Sequence, residues 1–294
     1  MEELNIFGKL VRKPLRDYVS FKIGGVTNIL FPKDEESLCG AIDYAKSNGI
    51  KYVVLGRGSN ILADDEDNDN LVILLRDCLC DIKVEGDVIE ASSGATLKEV
   101  AEIALKNNLT GFESLHGIPG SVGGGVIMNA GAYDGELKDV VYEVKLLTDD
   151  GIKIYTNEDM EFEYRNSIAS KKGYIVLGAK FKLKKGNYDD IKSKMDDLWD
   201  RRVSKQPLEY PSAGSTFKRP VGYFAGKLID DSNLRGLRHN GAMVSDKHCG
   251  FIINYDNATS KDVKELIGTV QKVVFDNFKV DLNREVKYLE DLWR

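Results

Sequence analysis

The segment GIPGSVGGGVIMNAGAYDG, at residues 117–135, restricts the fold more than any other stretch of this chain. It contains seven glycines but also keeps isoleucine, valine and methionine side chains, so it is more apolar than a flexible linker. Glycine allows backbone N–H groups to approach a flat or charged ligand closely. The segment therefore predicts either a ligand-binding loop or a tight, glycine-lined turn inside the fold.

A second glycine segment, LGRGSN at 55–60, follows the short apolar run YVVL. Two glycines after a strand can bring backbone N–H groups towards a phosphate, although a plain turn has the same composition. The third glycine of GxGxxG is missing, and ILADDED after the segment lacks a helical pattern, so a Rossmann fold is not predicted.

The regions around these segments predict a chain of mixed α and β structure. Asp34 is a candidate N-cap for a helix with Leu38, Ala41, Ile42 and Ala45 on one face. Thr96 and Glu99 form the pattern of a capping box for a helix that ends near Asn107. Further helices are predicted at 188–202 and 260–278, and strands at 26–31, 52–55, 71–75, 140–148, 152–156, 174–183 and near the C-terminus.

Composition excludes several classes of protein. The 294 residues are 42% hydrophobic, and 41 Lys and Arg against 47 Asp and Glu leave a net charge of −6. Broad phosphate neutralisation is therefore not expected, and no nucleic-acid partner is predicted. No run approaches roughly 18 apolar residues, so we expect no membrane insertion. The N-terminus lacks the apolar region of a secretory signal, which makes the cytoplasm the expected compartment.

Charge is distributed unevenly along the chain. Residues 201–247 contain nine Lys or Arg and four Asp or Glu, a local charge of +5, while the remaining 247 residues carry −11. This asymmetry predicts an anionic ligand in that region. The acidic run DDEDNDN at 64–70 lacks the glycine and final glutamate of an EF-hand loop, so a solvated turn is favoured.

No metal site is predicted. The three histidines do not form a ligand pattern. The four cysteines are interpreted as reduced structural thiols, and Cys78 and Cys80 would share one face if they lay on a strand.

In order, LGRGSN, GFESLHGIPGSVGG, MNAGAYDGE, YRNS, QPLEYPSAGSTFKRP, VSDKHCGFIIN and a C-terminal EV strongly resemble the UDP-N-acetylenolpyruvoylglucosamine reductase family. The resemblance extends from about Arg16 to Tyr288. GIPGSVGG is shared with other FAD-linked oxidases, whereas YR, GSxFKRP and the C-terminal glutamate together are much more specific. The length is similar to the shorter of the family's two structural types.

The resemblance implies an α+β fold: a two-part FAD-binding fold of the PCMH type plus a C-terminal α+β substrate-binding domain. The expected division is residues 1–75, rejoined by 284–294, for the first FAD-binding part, 76–200 for the second and 201–283 for the substrate domain. FAD would be held noncovalently, NADPH would reduce it, and the substrate would be a UDP-sugar enolpyruvyl ether used in peptidoglycan precursor synthesis. The sequence does not fix the oligomeric state.

The resemblance also assigns residues to the reaction. Arg165 would bind the substrate carboxylate, Glu285 would stabilise developing charge with it, and Ser215 would deliver a proton. The expected FAD-binding residues are Gly56, Arg57, Gly58, Ser59, Asn60, Gly117, Ile118, Pro119, Gly120, Ser121, Gly123, Gly124, Asn129 and Gly131. The expected substrate-side residues are Arg202, Lys205, Lys218, Arg219 and His248, although a structural role for His248 remains an alternative.

The chain departs from the family pattern at three places. His239-Asn240 replaces a usual Ile-Gly, Ser232-Asn233 replaces Ala-Gly, and Arg284 replaces a frequent proline. These changes affect the expected loop geometry more than the chemistry. Two other functions remain open from sequence: an FAD-linked sugar or alcohol oxidase, and a nucleotide-binding module without catalytic activity.

Overall fold

The computed structural model describes the whole chain, Met1–Arg294, and divides it into two compact units. Unit 1 contains Met1–Leu10, Ile29–Arg57 and Val72–Arg202, and unit 2 contains Val11–Asn28, Gly58–Leu71 and Val203–Arg294. The chain therefore passes between the units several times. None of its helices combines the length and the apolar run that crossing a membrane requires.

Seven α-helices begin and end at well-defined residues. Asp34 caps the first by accepting a hydrogen bond from the backbone N–H of Ser37. Thr96 and Glu99 form the predicted capping box of the second, and Thr259 and Asp262 form one for the last. The helices are α1 Glu35–Ser47, α2 Leu97–Lys106, α3 Val122–Ile127, α4 Ile168–Lys172, α5 Tyr188–Lys205, α6 Ala225–Asp231 and α7 Ser260–Phe278.

Eighteen strands, most of them short, complete the regular structure. They are β1 Gly8–Pro14, β2 Val26–Pro32, β3 Tyr52–Leu55, β4 Ile61–Leu62, β5 Leu71–Leu74, β6 Ile82–Glu85, β7 Val88–Ser92, β8 Leu109–Thr110, β9 Gly131–Ala132, β10 Gly135–Glu136, β11 Val141–Thr148, β12 Gly151–Thr156, β13 Ile175–Lys182, β14 Lys184–Lys185, β15 Arg238–His239, β16 Ala242–Val244, β17 Ile252–Asn254 and β18 Lys287–Tyr288. Strands β1, β2, β5 and β3 form one sheet in the order β1-β2-β5-β3.

A five-stranded sheet in the order β12-β11-β13-β7-β6 forms the centre of unit 1. Its pairs are antiparallel, with Val144 opposite Ala179 and Ala179 opposite Ala91. The face that contains these residues is buried, and the apolar faces of α2 and α3 belong to the same core. Because one face of the sheet packs on this core, buried and more exposed residues alternate along most of β11.

Unit 2 is built around α7, which lies against α6 and the three-stranded sheet β15-β16-β17. Val263, Leu266, Ile267, Val270 and Val274 are buried on the inner side of α7, as the helical periodicity predicts. The acidic run 64–70 is a loop in this unit, and it also forms hydrogen bonds with α7. Asp64 accepts hydrogen bonds from Ser260 and Lys264 at 3.0 and 2.6 Å.

Two local predictions differ from the structure, and one condition is not met. Cys78 and Cys80 lie in a turn after β5, so the condition that they lie on a strand and share a face is not met. The helix predicted at 188–202 continues to Lys205. Within the glycine segment, a six-residue helix, α3, forms after Ser121, which accepts a hydrogen bond from Gly124. All four cysteines are free thiols, as predicted.

Candidate functional site

The segment LGRGSN forms a tight loop between β3 and β4. Gly58 has φ +60°, and a Cβ at this position would lie 2.7 Å from Cγ1 of Val19. Both observations require glycine here, because a side chain would be strained by the backbone and crowded by its neighbour. The structure therefore forms the close-approach loop that the sequence predicts.

The two glycine segments meet at Gly56 and Ser121. A Cβ at Gly56 would lie only 2.0 Å from Oγ of Ser121, so a glycine is needed for this approach. Next to α3, Gly123 donates to the carbonyl of Ser93 at 2.9 Å, and the buried hydroxyl of Ser93 has no hydrogen-bond partner in the protein. The close main-chain approach of the two glycine segments is typical of loops that bind a nucleotide cofactor through backbone N–H groups.

Arg165 lies at the tip of a two-residue hairpin turn in unit 1. Glu163 and Asn166 close the turn through two backbone hydrogen bonds of 3.1 and 3.2 Å, and Arg165 has φ +55°. Its Nη2 donates to the carbonyl of Gly131 at 3.0 Å, and its guanidinium lies 4.9 Å from the ring centre of Tyr164. The arginine is half-buried. These contacts orient its guanidinium, whereas the guanidinium of a mobile surface arginine has no fixed orientation.

Asn129 is fully buried directly after α3 and uses its side chain within the protein. Its Nδ2 donates to Oε2 of Glu136 at 3.1 Å and to the carbonyl of Glu163 at 3.0 Å. Its Oδ1 accepts from the backbone N–H of Lys138 at 3.0 Å. This side chain therefore links the end of α3 to the hairpin that carries Arg165.

Ser215 and Glu285 belong to neighbouring segments of unit 2. The backbone N–H of Glu285 donates to the carbonyl of Thr216 at 2.8 Å, and Phe217 pairs with Arg284 in an antiparallel bridge. Ser215 follows Gly214, which has φ +76°, and its side chain is exposed. The structure therefore brings two of the three predicted catalytic residues together, while Arg165 belongs to unit 1.

Thr216 anchors both segments, and no sequence motif distinguished it from its neighbours. It is buried, its N–H donates to the carbonyl of Gly250 at 2.8 Å, and its Oγ1 accepts from the N–H of Ile252 at 2.9 Å. Its carbonyl receives the N–H of Glu285. Thr216 thus fixes the backbone next to Ser215 from two directions.

Asn60, the last residue of LGRGSN, also contacts the segment of Glu285. Its Nδ2 donates to the carbonyl of Glu285 at 3.2 Å, and its own carbonyl accepts from the N–H of Lys287 at 3.0 Å. Beyond this pair, β4 and β18 continue as a parallel bridge in which Ile61 lies opposite Lys287. The loop predicted to bind a phosphate therefore also fixes the segment of Glu285 directly before β18.

Several cationic side chains lie in or near the segment that contains Glu285. Burial, followed by the charges of Lys218 and Arg284, holds the pKa of Lys287 below its usual value. Arg284 stacks on the ring of Tyr288 at 3.5 Å, and Arg219 stacks on Phe224 at 4.0 Å. A depressed lysine pKa among like charges indicates an environment that an anionic ligand would relieve. The local positive charge of the sequence thus has a structural counterpart.

The remaining predicted residues differ in their surroundings. Arg202 packs along the second glycine segment, since a Cβ at Gly117 would lie 3.0 Å from its Cδ. Lys205 is exposed at the end of α5. Burial lowers the pKa of His248, whose Nδ1 accepts from the N–H of Gly250 at 3.0 Å.

The departure at His239-Asn240 is accommodated by α7. His239 lies 2.6 Å from Oε2 of Glu265, and Asn240, with φ +49°, donates to Oδ1 of Asp262 at 2.8 Å. Asparagine tolerates this backbone conformation better than most residues, so it can replace glycine here. The two substituted residues therefore add contacts to the N-terminal half of α7.

Two protein families match parts of the chain and identify the class of enzyme to which it belongs. Residues 26–156 match the family described as an FAD binding domain, and residues 206–289 match the C-terminal domain of UDP-N-acetylenolpyruvoylglucosamine reductase. Together with the glycine segments, these matches define the chain as a flavin-dependent oxidoreductase.

Relatives identify the family. The chain is 50% identical to UDP-N-acetylenolpyruvoylglucosamine reductase of Clostridium perfringens strain SM101, over 95% of this chain and 92% of that protein. It is 48% identical to the enzyme of the same name from Clostridioides difficile strain 630, over 97% and 96%. The crystal structure of the reductase from Thermus caldophilus matches with a TM-score of 0.82 and 34% identity, over 96% and 99%. The chain belongs to the UDP-N-acetylenolpyruvoylglucosamine reductase family, and its fold is the predicted α+β fold.

Proposed function

We propose that the chain reduces UDP-N-acetylglucosamine enolpyruvyl ether to UDP-N-acetylmuramate with NADPH, through Arg165, Ser215 and Glu285. The observation that carries the assignment of residues is the hydrogen-bonded pairing of the Ser215 and Glu285 segments at Thr216. An oxidase of the same superfamily or a nucleotide-binding module explains the glycine segments but does not require that pairing.

FAD, when bound, would supply the hydride chemistry that links NADPH to the substrate. The main-chain groups of residues 56–60 and 117–124 are proposed to hold it, with Gly56 and Gly58 providing the space. The hydride adds to the methylene carbon of the enol ether and a proton adds to the neighbouring carbon. The carbon–carbon double bond thereby becomes a single bond.

Arg165 and Glu285 act on the charge that develops during this step. Addition at the methylene carbon places electron density on the neighbouring carbon and on its carboxylate. A guanidinium that is already oriented, here by Gly131 and Tyr164, can bind that carboxylate through two parallel hydrogen bonds. Glu285, whose backbone N–H donates to the carbonyl of Thr216, is proposed to complete the electrostatic stabilisation.

Ser215 delivers the proton to the carbon next to the carboxylate. A serine hydroxyl is a weak acid, but an enolate is a strong base, so the transfer runs downhill. The hydrogen-bonded backbone of Thr216 and the left-handed conformation of Gly214 restrict the backbone on both sides of Ser215, which supports this role. The nearby Lys218 and Lys287 and the stacked Arg219 are proposed to face the diphosphate, with Arg202, Lys205 and His248 as further substrate-side residues.

We propose that residues 1–75 and 284–294 and residues 76–200 hold FAD and that residues 201–283 bind the substrate. This functional division differs from the two compact units of the fold, which divide residues 1–75 between them. A reaction that consumes NADPH and a UDP-sugar is also assigned to the cytoplasm, where these compounds are available.

Single-turnover kinetics of Ser215→Ala test the proposed roles. The FAD of the variant and of the parent is reduced by NADPH without oxygen, and each enzyme is mixed with saturating enolpyruvyl substrate. NADPH should reduce the variant at the parent rate, because that step needs no proton from Ser215. Flavin reoxidation should then be slower by several orders of magnitude. Reoxidation at the parent rate would remove Ser215 from its proposed role.

A further inference from the structure

The Arg165 hairpin is attached to the end of α3 at two points. Nδ2 of Asn129 donates to the carbonyl of Glu163, the first residue of the turn. On the other side of the turn, Oγ of the buried Ser167 donates to the carbonyl of Ile127 at 2.9 Å. Both attachments come from the residues that end α3, and each lies two residues from Arg165 along the chain.

Helix α3 itself has little freedom to move. Side chains crowd its glycines, since a Cβ at Gly125 would lie 2.8 Å from Leu137 and one at Gly123 would lie 2.9 Å from Ser93. Its N-terminal end is the segment proposed to hold FAD. The chain therefore connects the proposed cofactor loop to the proposed carboxylate-binding arginine through six tightly packed residues.

We infer that Asn129 is a positioning residue that orients Arg165, and this inference rests on the role proposed for Arg165. The carbonyl of Glu163 accepts from both Asn166 and Asn129, so Asn129 adds an anchor that the hairpin cannot supply for itself. All three hydrogen bonds of the asparagine side chain end within the protein. Both Nδ2 donors are therefore used within the protein, so we propose that the side chain orients the hairpin, in place of the FAD-binding role that the family resemblance implies.

The residue type suits this task. Asn129 has φ +41°, a conformation that asparagine adopts more readily than most residues. Its amide supplies two donors and one acceptor in one plane, which match Glu163, Glu136 and Lys138. Glycine keeps the backbone conformation and removes all three side-chain hydrogen bonds, so Asn129→Gly isolates the contribution of the side chain.

A double-mutant cycle in the holoenzyme tests the inference. The variants are Asn129→Gly, Arg165→Ala and the double variant, and Asn157→Ala is the matched control. Asn157 also donates two hydrogen bonds to main-chain carbonyls in unit 1, those of Lys138 and Val141, but it does not contact the hairpin. The measurements are FAD content, reduction by NADPH and single-turnover reoxidation by saturating enolpyruvyl substrate.

We expect Asn129→Gly to keep its FAD and its rate of reduction and to reoxidise on the order of ten- to a hundredfold more slowly, as for a reacting group misplaced by about 1 Å. The double variant should reoxidise like Arg165→Ala alone. Loss of the Asn129 side chain acts by misplacing Arg165, so it has no further effect once the arginine is removed. Asn157→Ala should match the parent.

Independent, multiplying effects of the two substitutions would overturn the inference, as would parent-like reoxidation of Asn129→Gly or a loss confined to FAD content. Parent-like reoxidation of Arg165→Ala would instead overturn the proposed role of Arg165. If Asn129→Gly does not fold, Ser167→Ala removes the second attachment and should show the same non-additive effect with Arg165→Ala.

Discussion

The contact between the two glycine segments makes Gly56→Ala a sharp perturbation. The new Cβ would lie 2.0 Å from Oγ and 3.0 Å from Cβ of Ser121, so either the Ser121 hydroxyl must leave the position in which it caps α3 or the two segments must separate. Overpacking of this kind typically costs about 1–3 kcal/mol. Because both segments are proposed to hold FAD, we expect this strain to weaken FAD binding by about 5- to 150-fold.

Fluorescence titration of the apoprotein with FAD measures this effect. Gly268→Ala is the control, because glycine 268 lies in α7 and a Cβ there has no neighbour within 4 Å. That variant should bind FAD like the parent and unfold at a slightly higher temperature, since alanine favours a helix more than glycine does.

Removal of the opposing side chain should relieve the clash. Glycine at an N-cap costs only a few tenths of a kcal/mol, so Ser121→Gly is a mild change to α3. Ser121→Gly alone measures any direct contribution of the hydroxyl, and Gly56→Ala with Ser121→Gly should bind FAD within a few-fold of that single variant. Parent-like binding by Gly56→Ala, or a double variant that binds no better than Gly56→Ala, would refute the reasoning.

Three other perturbations follow from single contacts. Asn60→Ala removes the donor to the carbonyl of Glu285, so single-turnover reoxidation should slow several-fold more than NADPH-driven reduction does; equal effects on both steps would contradict this. Burial raises the pKa of Glu113, but hydrogen bonds from Thr110 and Gly111 outweigh it and leave that pKa below its usual value. Its contribution to stability should therefore be present above about pH 4.5 and lost as the pH falls below that value, and urea unfolding of Glu113→Gln should show a flatter acid limb. Arg219→Ala should raise the dissociation constant of the UDP-sugar about ten- to a hundredfold by titration calorimetry, the effect of losing one charge-assisted contact.

Elements with local signals were predictable from the sequence. The capping pairs Thr96–Glu99 and Asp34–Ser37 begin α2 and α1 where they are expected, because a cap is formed by residues three positions apart. The inner face of α7 follows from its periodicity alone. The same reasoning fails at α3, because glycine has a low helix propensity and only the packing against Ser93 and Leu137 explains it.

The site was predictable only in part. No local pattern predicts the surroundings of Arg165, since its turn is defined by φ +55° and its guanidinium donates to the distant carbonyl of Gly131. Thr216 and Asn60 contact Glu285 across separations of 69 and 225 residues, and no short pattern encodes such contacts. The family resemblance supplied the catalytic residues, whereas the hydrogen bonds that orient them required the structure.

One enzyme-bound flavin should accept electrons from NADPH and give them only to the enolpyruvyl substrate. Anaerobic absorbance of the purified protein near 450 nm follows both transfers in one cuvette. We expect NADPH to bleach the flavin band and one equivalent of UDP-N-acetylglucosamine enolpyruvyl ether to restore it, with UDP-N-acetylmuramate formed in equal amount. A flavin that stays reduced after the substrate is added but recovers at a catalytic rate with oxygen would contradict the claim and identify an oxidase.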